Sequence, residues 1–500
     1  MKHYRLLLLT TLMISGCSMV YELIISAVSS YLIGDSTLQY SVTIGLYMFA
    51  LGIGSFLSKF IRKDLWNWFA NVEIGIGIVG GLSSMSLFLA NLYLESYALV
   101  MYAEILIIGT FAGLEIPLLT RIIEEEQKEL RLTLSSIFSF DYIGGLIGSI
   151  AFPMLLLPHL GYFATAFLAG TLNLLAAVLI IYRYGKRLKH RNTYRALSAG
   201  LLAAMFIGMF FAENAGNLIE GGLYRDTVIL REQTPYQKIV VTKHKDDMRL
   251  YIDGNCQFSS VDEYRYHECL VHVPMAYAEQ HSEILIMGGG DGLAARELLK
   301  YPEVKHITLI DLDKGMTDLC SQDSRMTALN GGSLTDARVT IRNMDAYEYL
   351  EHSNDIYDVI LVDLPDPNNE ALAKLYTNVF YRMCASHLTE NGILNVQSTS
   401  PYYATNAFWC ITRTMESEGL NVKPFHLQVP AFGDWGFNLA SRTELVQHHS
   451  APADTRYLTE ETMAGLFLFG KDETAEHVTV NRLTKPVLIQ YYNDAARAWQ

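Results

Sequence analysis

Asp363 and Asp366, in the run Asp363-Leu364-Pro365-Asp366-Pro367, are the side chains of this sequence best suited to chemistry. One carboxylate can take a proton from a cationic nucleophile while a neighbouring one holds the cation in place. The two prolines stiffen the loop that carries them. Three further acids occupy comparable places: Asp291 within Gly288-Gly289-Gly290-Asp291-Gly292, Asp311 after the apolar run 306–310, and Asp345 after 339–342. A lone acid at such a point is ordinarily a turn former or a helix cap. Four of them (Asp291, Asp311, Asp345 and Asp363) after four successive apolar runs predict a functional cleft.

The elements that must position these acids follow from the spacing of the runs. From residue 282 onward, short β-rich runs alternate with helical segments. That pattern predicts an open, mostly parallel, Rossmann-like sheet of the class I methyltransferase kind, which binds ligands at the carboxyl ends of its strands. Gly288, Gly289 and Gly290 allow a tight turn and close backbone approach to a ligand. An acid about twenty residues beyond such a loop, here Asp311, is placed to bind a ribose diol. No Gly-Lys-Ser/Thr follows, so the loop is not a P-loop. Ahead of this region, 222–281 alternates short β runs with turns, Asp253-Gly254 among them, and predicts a small antiparallel β domain. The Rossmann-like domain is expected over 282–445, with a helical and strand extension over 446–500.

The first 213 residues are of another kind. Seven apolar stretches, 6–28, 39–60, 67–91, 97–120, 133–157, 159–182 and 196–212, are long enough to span a bilayer, the last being the shortest. Ile14-Ser15-Gly16-Cys17 imitates a lipoprotein cleavage site, but the apolar run continues through it, which favours an uncleaved first helix. Basic residues mark alternate loops: Lys2 and Arg5, then Lys59, Arg62 and Lys63, then Arg121, Lys128 and Arg131, then a cluster from Arg183 to Arg195. The loops around Asp35, Glu95 and His159 carry neither Lys nor Arg. The positive-inside rule places the N-terminus in the cytoplasm of a multi-pass cell-membrane protein. If 196–212 spans, the C-terminal half lies outside; if it is re-entrant, that half stays inside. The chemistry favours the cytoplasmic face. Glu22, Glu73, Glu104, Glu115 and Asp141 fall within or at the ends of the spans, where acids ordinarily face a bundle interior.

Charge and cysteine content narrow the function classes. After residue 213 the chain holds 24 Lys and Arg against 39 Asp and Glu. So acidic a half argues against nucleic acid and suits a cationic substrate. The six cysteines are scattered without CxxC or metal spacing, so they are read as reduced core residues, with no metal site.

At Gln233-Thr234-Pro235-Tyr236-Gln237, Asp253-Gly254, Asp262-Glu263-Tyr264-Arg265-Tyr266-His267-Glu268, the glycine loop, the 363–367 loop, Leu375-Tyr376-Thr377-Asn378-Val379-Phe380-Tyr381 and Trp435-Gly436-Phe437, the chain resembles the spermidine synthase family, in its membrane-embedded bacterial form. The resemblance covers roughly 222–445. It implies transfer of an aminopropyl group from decarboxylated S-adenosylmethionine, a co-substrate and not a resident cofactor, to putrescine or a related polyamine. Spermidine and methylthioadenosine would be the products. By matching position, it makes Asp363 the general base and Asp366 its neighbour in the amine site. It gives the nucleoside to Gln237, Asp311, Asp345 and Ala346, amine groups to His267 and Asp291, and a wall of the amine channel to Trp435. It also implies a homodimer. Pro365, Asp311 and Leu293 depart from the commonest pattern, which bears on the choice of amine more than on the reaction type. Two rivals remain at this level. One is a methyltransferase on the same fold, disfavoured because Asp291 would repel the carboxylate of intact S-adenosylmethionine. The other is a polyamine transporter or sensor whose soluble half only binds.

Overall fold

The structure, a computed structural model, describes residues 2–33, 36–94, 97–127 and 130–499. Asp35, Glu95 and Lys128, read above as loop residues, lie outside the described residues. The chain divides into two compact units, Met1–Arg225 and Asp226–Gln500. The change in composition at 213 therefore falls inside the last helix of the first unit and not at its boundary.

The first unit is all helical. Its helices are α1 (Lys2–Ile33), α2 (Ser36–Ser58), α3 (Leu65–Tyr93), α4 (Tyr97–Gln127), α5 (Leu130–Ala151), α6 (Leu157–Tyr184) and α7 (Arg191–Gly221). Among the described residues, six helices are long and apolar enough to cross a membrane. The expected stretches 133–157 and 159–182 fall in one continuous helical run, Leu134–Arg187, of 54 residues. Straight, it would extend about 80 Å. A π-helical turn at Phe152–Leu156 and a break at Gly161 (φ 69°, ψ −177°) interrupt it. The stretch 196–212 belongs to a helix of 31 residues, as long as its neighbours, and so is not the short segment expected.

Helix α2 packs on α4, α1 on α5, and α3 on α6. Small residues let these backbones touch: a Cβ on Gly54 would stand 2.0 Å from the Thr110 carbonyl oxygen, and one on Gly113 would stand 2.2 Å from that of Leu51. Cys17 is buried in mid-helix. Large apolar side chains, among them Met48, Phe49, Leu99, Leu146, Phe210 and Phe211, point outward and are well exposed. A water-facing surface rarely carries so many.

The second unit holds two sheets. Strands β1 (Thr227–Gln233), β2 (Lys238–His244), β3 (Asp247–Ile252) and β4 (Asn255–Ser259) form an antiparallel meander. They do not make the separate domain expected over 222–281. Ile239, Val241, Leu250 and Phe258 share one apolar core with the helix α8 (Glu263–Tyr277) and with Ile284 and Ile286 of the main sheet. The reason is covalent as well as apolar, since α8 follows β4 directly and is buried almost along its whole length.

The main sheet has strands β5 (Glu283–Gly288), β6 (His306–Asp311), β7 (Val339–Asn343), β8 (Tyr357–Asp363), β9 (Leu388–Gln397), β10 (Asn421–Val429) and β11 (Gly433–Ser441), in the order β10-β11-β9-β8-β5-β6-β7. Five strands run parallel, and the β10–β11 hairpin is antiparallel on β9. Ile284 and Ile286 face one core, and Leu285 and Met287 face the other. A strand buried on both faces needs this continuous apolar run, which is how the sequence showed it. Chain order reverses between β5 and β8, the switch point at which such sheets open a crevice. The extension beyond 446 supplies the helices Glu460–Gly465 and Val487–Trp499 and an isolated Arg482–Lys485 bridge, and among the described residues no strand.

Candidate active site

The crevice is built at the carboxyl ends of β5, β6, β7 and β8, and each end supplies one of the acids singled out above. Gly288 ends β5 paired with Asp363 at the end of β8. Its φ is 83°, and a Cβ there would lie 2.0 Å from the Asp363 carbonyl oxygen. Only glycine satisfies both conditions. The Gly289 N–H then donates to that carbonyl at 3.2 Å, and the Gly290 N–H donates to Asp311 Oδ2 at 3.0 Å. The glycine loop is thus stitched to its neighbours on both sides. Asp291 uses one oxygen to cap the Leu293 N–H at 2.8 Å.

Asp311 also accepts from the Asp313 N–H at 2.8 Å. Burial pushes its pKa up to about 6, reinforced by the charges of Asp313 and Asp291 and opposed by its two backbone donors. Asp313 in turn accepts from Thr234 Oγ1 at 2.8 Å, and that hydroxyl accepts from the Gln237 N–H at 3.0 Å. This link brings the 234–237 turn, with Gln237, beside the end of β6. Asp345 caps the following helix through the Tyr347 N–H at 2.8 Å, and its other oxygen pairs with Lys374 at 2.6 Å. Its carboxylate is therefore occupied, and the edge it offers a ligand is formed with the buried Ala346.

The β8 end carries Asp363 and, three residues on, Asp366. Asp363 Oδ1 accepts from the Tyr266 hydroxyl at 2.6 Å. Desolvation raises the Asp363 pKa above the ordinary carboxylate range, and Asp291 raises it further. His267 and Tyr266 pull the other way. Asp366 accepts from Gln397 Nε2 at 3.0 Å and from the Tyr492 hydroxyl at 3.0 Å, with burial again pushing its pKa up.

His267 lies one turn along α8 from Glu263, and its Nδ1 is 2.8 Å from Glu263 Oε2. Arg296 holds Glu263 through two bonds of 2.9 and 3.0 Å. Burial disfavours an imidazolium here. The Glu263 bond and the charges of Glu263, Asp291 and Asp363 outweigh that and push the His267 pKa up to about 9. Around the pair stands an aromatic group: the Tyr266 ring is 6.3 Å from Phe432 and 5.1 Å from Phe437, and Phe432 is 5.3 Å from Trp435. Trp435 Nε1 is buried and has no partner among the described residues.

Such a crevice joins a carboxylate pair, an acid at a ribose position and aromatic walls, which suits a nucleoside beside a cationic amine. Residues 263–450 match the family described as the spermine/spermidine synthase domain. A polyamine aminopropyltransferase of Oceanobacillus iheyensis is 41% identical over 494 residues, 97% of this chain and 96% of that protein. The chain belongs to the polyamine aminopropyltransferase family. A second member, from Leptospira interrogans, is 40% identical and covers 99% of this chain and 98% of its own. A solved spermidine synthase from Thermotoga maritima aligns with 49% of this chain and 85% of its own, at 25% identity and a TM-score of 0.45. The likeness to the curated members runs through both units, so the helical unit is shared with them.

Several residues that organise this aminopropyltransferase were not singled out in the sequence. Tyr266 and Glu263 stood inside the quoted 262–268 run, and the i, i+4 spacing of Glu263 and His267 was a usable signal. Thr234 and Asp313 become partners only through folding, and Tyr492 had no signal at all. The grouping His426, Asp434 and Glu473 has metal-like composition. However, His426 Nδ1 lies 2.8 Å from Asp434 and Nε2 lies 2.7 Å from the Leu468 carbonyl oxygen. A carbonyl only accepts, so Nε2 carries a proton and offers no lone pair to a metal. The six cysteines are unpaired, five of them buried.

Proposed function

We propose that residues 226–500 transfer the aminopropyl group of decarboxylated S-adenosylmethionine to putrescine, giving spermidine and methylthioadenosine. The observation that carries this reading is Asp363, half-buried at the β5–β8 switch point, bonded to Tyr266 and three residues from Asp366. An ammonium cannot attack, so a carboxylate must first accept its proton, and a raised pKa suits Asp363 to that task. The amine nitrogen then forms a bond to the propyl carbon attached to sulfur while that carbon–sulfur bond breaks. Its electron pair stays on sulfur, which becomes a neutral thioether. The sulfonium is already a good leaving group, so positioning matters more than acid catalysis. Asp366 and Asp291 hold the charged amines, Asp311 takes the ribose with Gln237 and the glycine loop around it, and Trp435 lines the amine path. In this reading the His267 imidazolium offsets Asp291 and Asp363 until a diammonium ligand replaces it.

The test is Asp363→Asn in the full chain, assayed with decarboxylated S-adenosylmethionine and a panel of amines by mass spectrometry. Nucleoside binding should persist while turnover falls by about 10³-fold. Near-normal turnover overturns the role of Asp363, and preference for another amine overturns putrescine.

The outward apolar residues of the helical unit support residence in a cell membrane, with the catalytic unit on the cytoplasmic face, where both metabolites occur. With the basic residues Arg131 and Arg183 on one side, Leu134–Arg187 crosses twice, and this placement then requires Arg191–Gly221, itself long enough to cross, to lie along or re-enter the interface. Labelling of a cysteine placed at Lys245 by a membrane-impermeant maleimide decides the point, and reaction in intact cells overturns the cytoplasmic placement.

A further inference from the structure

The helical unit contains buried acids that the transfer reaction does not use. Glu22, Glu73, Glu104 and Glu115 are all nine-tenths or more buried, and among the described residues of that unit no Lys, Arg or His is buried. An ionised carboxylate at such depth costs several kcal/mol unless a positive charge accompanies it. Packing alone does not explain why four are retained.

Their arrangement is ordered. Ser15, Ser18, Glu22, Ser26 and Ser29 recur every three or four residues along α1, so they form one face. That face runs about 21 Å, most of the depth of a bilayer core. At one level Glu115 lies within electrostatic reach of Glu73 and Asp141. These three acids stand eight residues from Leu65, nine from Glu124 and seven from Leu134, all span ends on the side of the basic loops. Glu104 stands eleven residues before Glu115 on α4, roughly 16 Å along the helix, toward the other side. Between the two levels comes Tyr47, bonded to Ser18, while Tyr97, seven residues before Glu104 on α4 and so beyond its level, has its hydroxyl 2.9 Å from that of Ser29. Ser86 donates to Glu104 at the far end.

A second observation indicates a ligand. The Tyr21 hydroxyl is fully buried, lies within electrostatic reach of Glu73 and Glu115, and has no hydrogen-bond partner among the described residues. One oxygen of Glu73 accepts from Asn173 at 2.9 Å, but its other oxygen, one oxygen of Glu115 and the Asn173 carbonyl oxygen are likewise buried and unpartnered. Unsatisfied buried acceptors are costly, and here nearly all of them would welcome a donor that carries positive charge.

We propose that the helical unit holds a transmembrane route for a protonated linear amine, with Glu73 and Glu115 as its central binding pair. An ammonium group donates up to three hydrogen bonds to carboxylates, and its methylene chain suits the apolar turns between the two acid levels. The Tyr21, Tyr47 and Tyr97 rings add faces that attract cations. The choice of a polyamine as the cargo rests on the aminopropyl-transfer reading and on residence in a bilayer; the route itself rests only on the acids and their unpartnered acceptors.

The experiment reconstitutes the full chain in sealed liposomes and follows uptake of radiolabelled putrescine and spermidine. Wild type and Asp363→Asn should take up amine equally, which separates transport from transfer. Glu73→Gln and Glu115→Gln should lose at least tenfold in uptake while keeping aminopropyl transfer. A measurement that needs no variant is carbodiimide modification of Glu73 and Glu115 in the wild-type protein, read by peptide mass spectrometry, which spermidine should suppress. Uptake no greater than in protein-free liposomes overturns the proposal. So does unchanged uptake in both variants, or modification indifferent to spermidine. A proton leak without amine uptake, abolished by the same substitutions, also overturns it and makes the seam a proton path.

Discussion

The Tyr266 hydroxyl donates to Asp363 Oδ1 across 2.6 Å, joining the helix that precedes the main sheet to the end of its fourth strand in chain order. Burial and the neighbouring charge of Asp363 hold the Tyr266 pKa far above its usual value, so it remains a donor throughout the physiological range. A hydrogen bond to a charged acceptor is worth about 1.5–3 kcal/mol, and it favours the ionised carboxylate. Tyr266→Phe should therefore raise the Asp363 pKa further. A base works only when ionised, so the acid limb of the pH–rate profile should move to higher pH. Turnover near neutrality should fall by roughly tenfold. Measuring kcat against pH for both proteins checks the shift, and an unmoved acid limb counts against the role of this bond.

Tyr492 approaches the same site from the last helix, donating to Asp366 at 3.0 Å. Because Asp366 also keeps the Gln397 bond, Tyr492→Phe removes one of several supports and leaves the base untouched. The expected result is a KM for the amine raised by about three- to tenfold, with kcat nearly unchanged. Steady-state kinetics against amine concentration reads the split. A fall in kcat at constant KM would assign Tyr492 to the chemical step.

Gly288→Ala tests the turn that carries the loop. The positive φ alone costs a residue with a Cβ about 1–2 kcal/mol, and the Asp363 carbonyl oxygen would stand within 2.0 Å of that Cβ. Either the loop or the end of β8 must shift. The variant should show a lower melting temperature and at least tenfold weaker nucleoside binding, measured by calorimetry on the full chain.

Glu297 is a structural acid with a definite pH signature. Burial pushes its pKa up, but His272 Nε2 at 2.9 Å, Lys300 at 2.7 Å and Arg296 at 2.9 Å outweigh burial and hold it well below the ordinary carboxylate range. A folded pKa depressed below the unfolded one contributes stability in full above the unfolded value of about 4.3. The contribution is lost as pH falls from there toward the folded value. Glu297→Gln should cost about 2–4 kcal/mol near neutral pH, and the gap should shrink below pH of about 4. Thermal melts of the two proteins from neutral to acid pH check both the size and the sign.

The run 262–268 shows how far the sequence could be read. Its residues were marked as a unit, and His267 was given a site role, yet the work of the others emerges only in three dimensions. Glu268, buried on α8, accepts the backbone N–H groups of Arg456, Tyr457 and Leu458 at 2.6–3.0 Å and so anchors the C-terminal extension. Asp262 accepts the Ala431 N–H at 2.8 Å, beside the turn of the β10–β11 hairpin. Neither contact leaves a trace in local pattern, because the partners are backbone groups more than 150 positions away.

What the sequence determined by itself is whatever local chemistry dictates. Apolar length marked the long helices of the first unit, continuous apolar runs marked the buried parallel strands, and the glycines marked the turn that ends β5. Asp291 and Asp363 could be placed because a strand buried on both faces, as β5 and β8 are, must stop where polarity begins. Only the tertiary structure decided that the β1–β4 meander shares the main core, that Lys374 pairs with Asp345, and that Tyr266 and Tyr492 bond to Asp363 and Asp366. It also decided that Glu73, Glu115 and Asp141, on α3, α4 and α5, come within electrostatic reach of one another. These are relations between distant segments, fixed by strand order and helix packing, and their physical cause is the shape of the buried interior, which periodicity along the chain does not record.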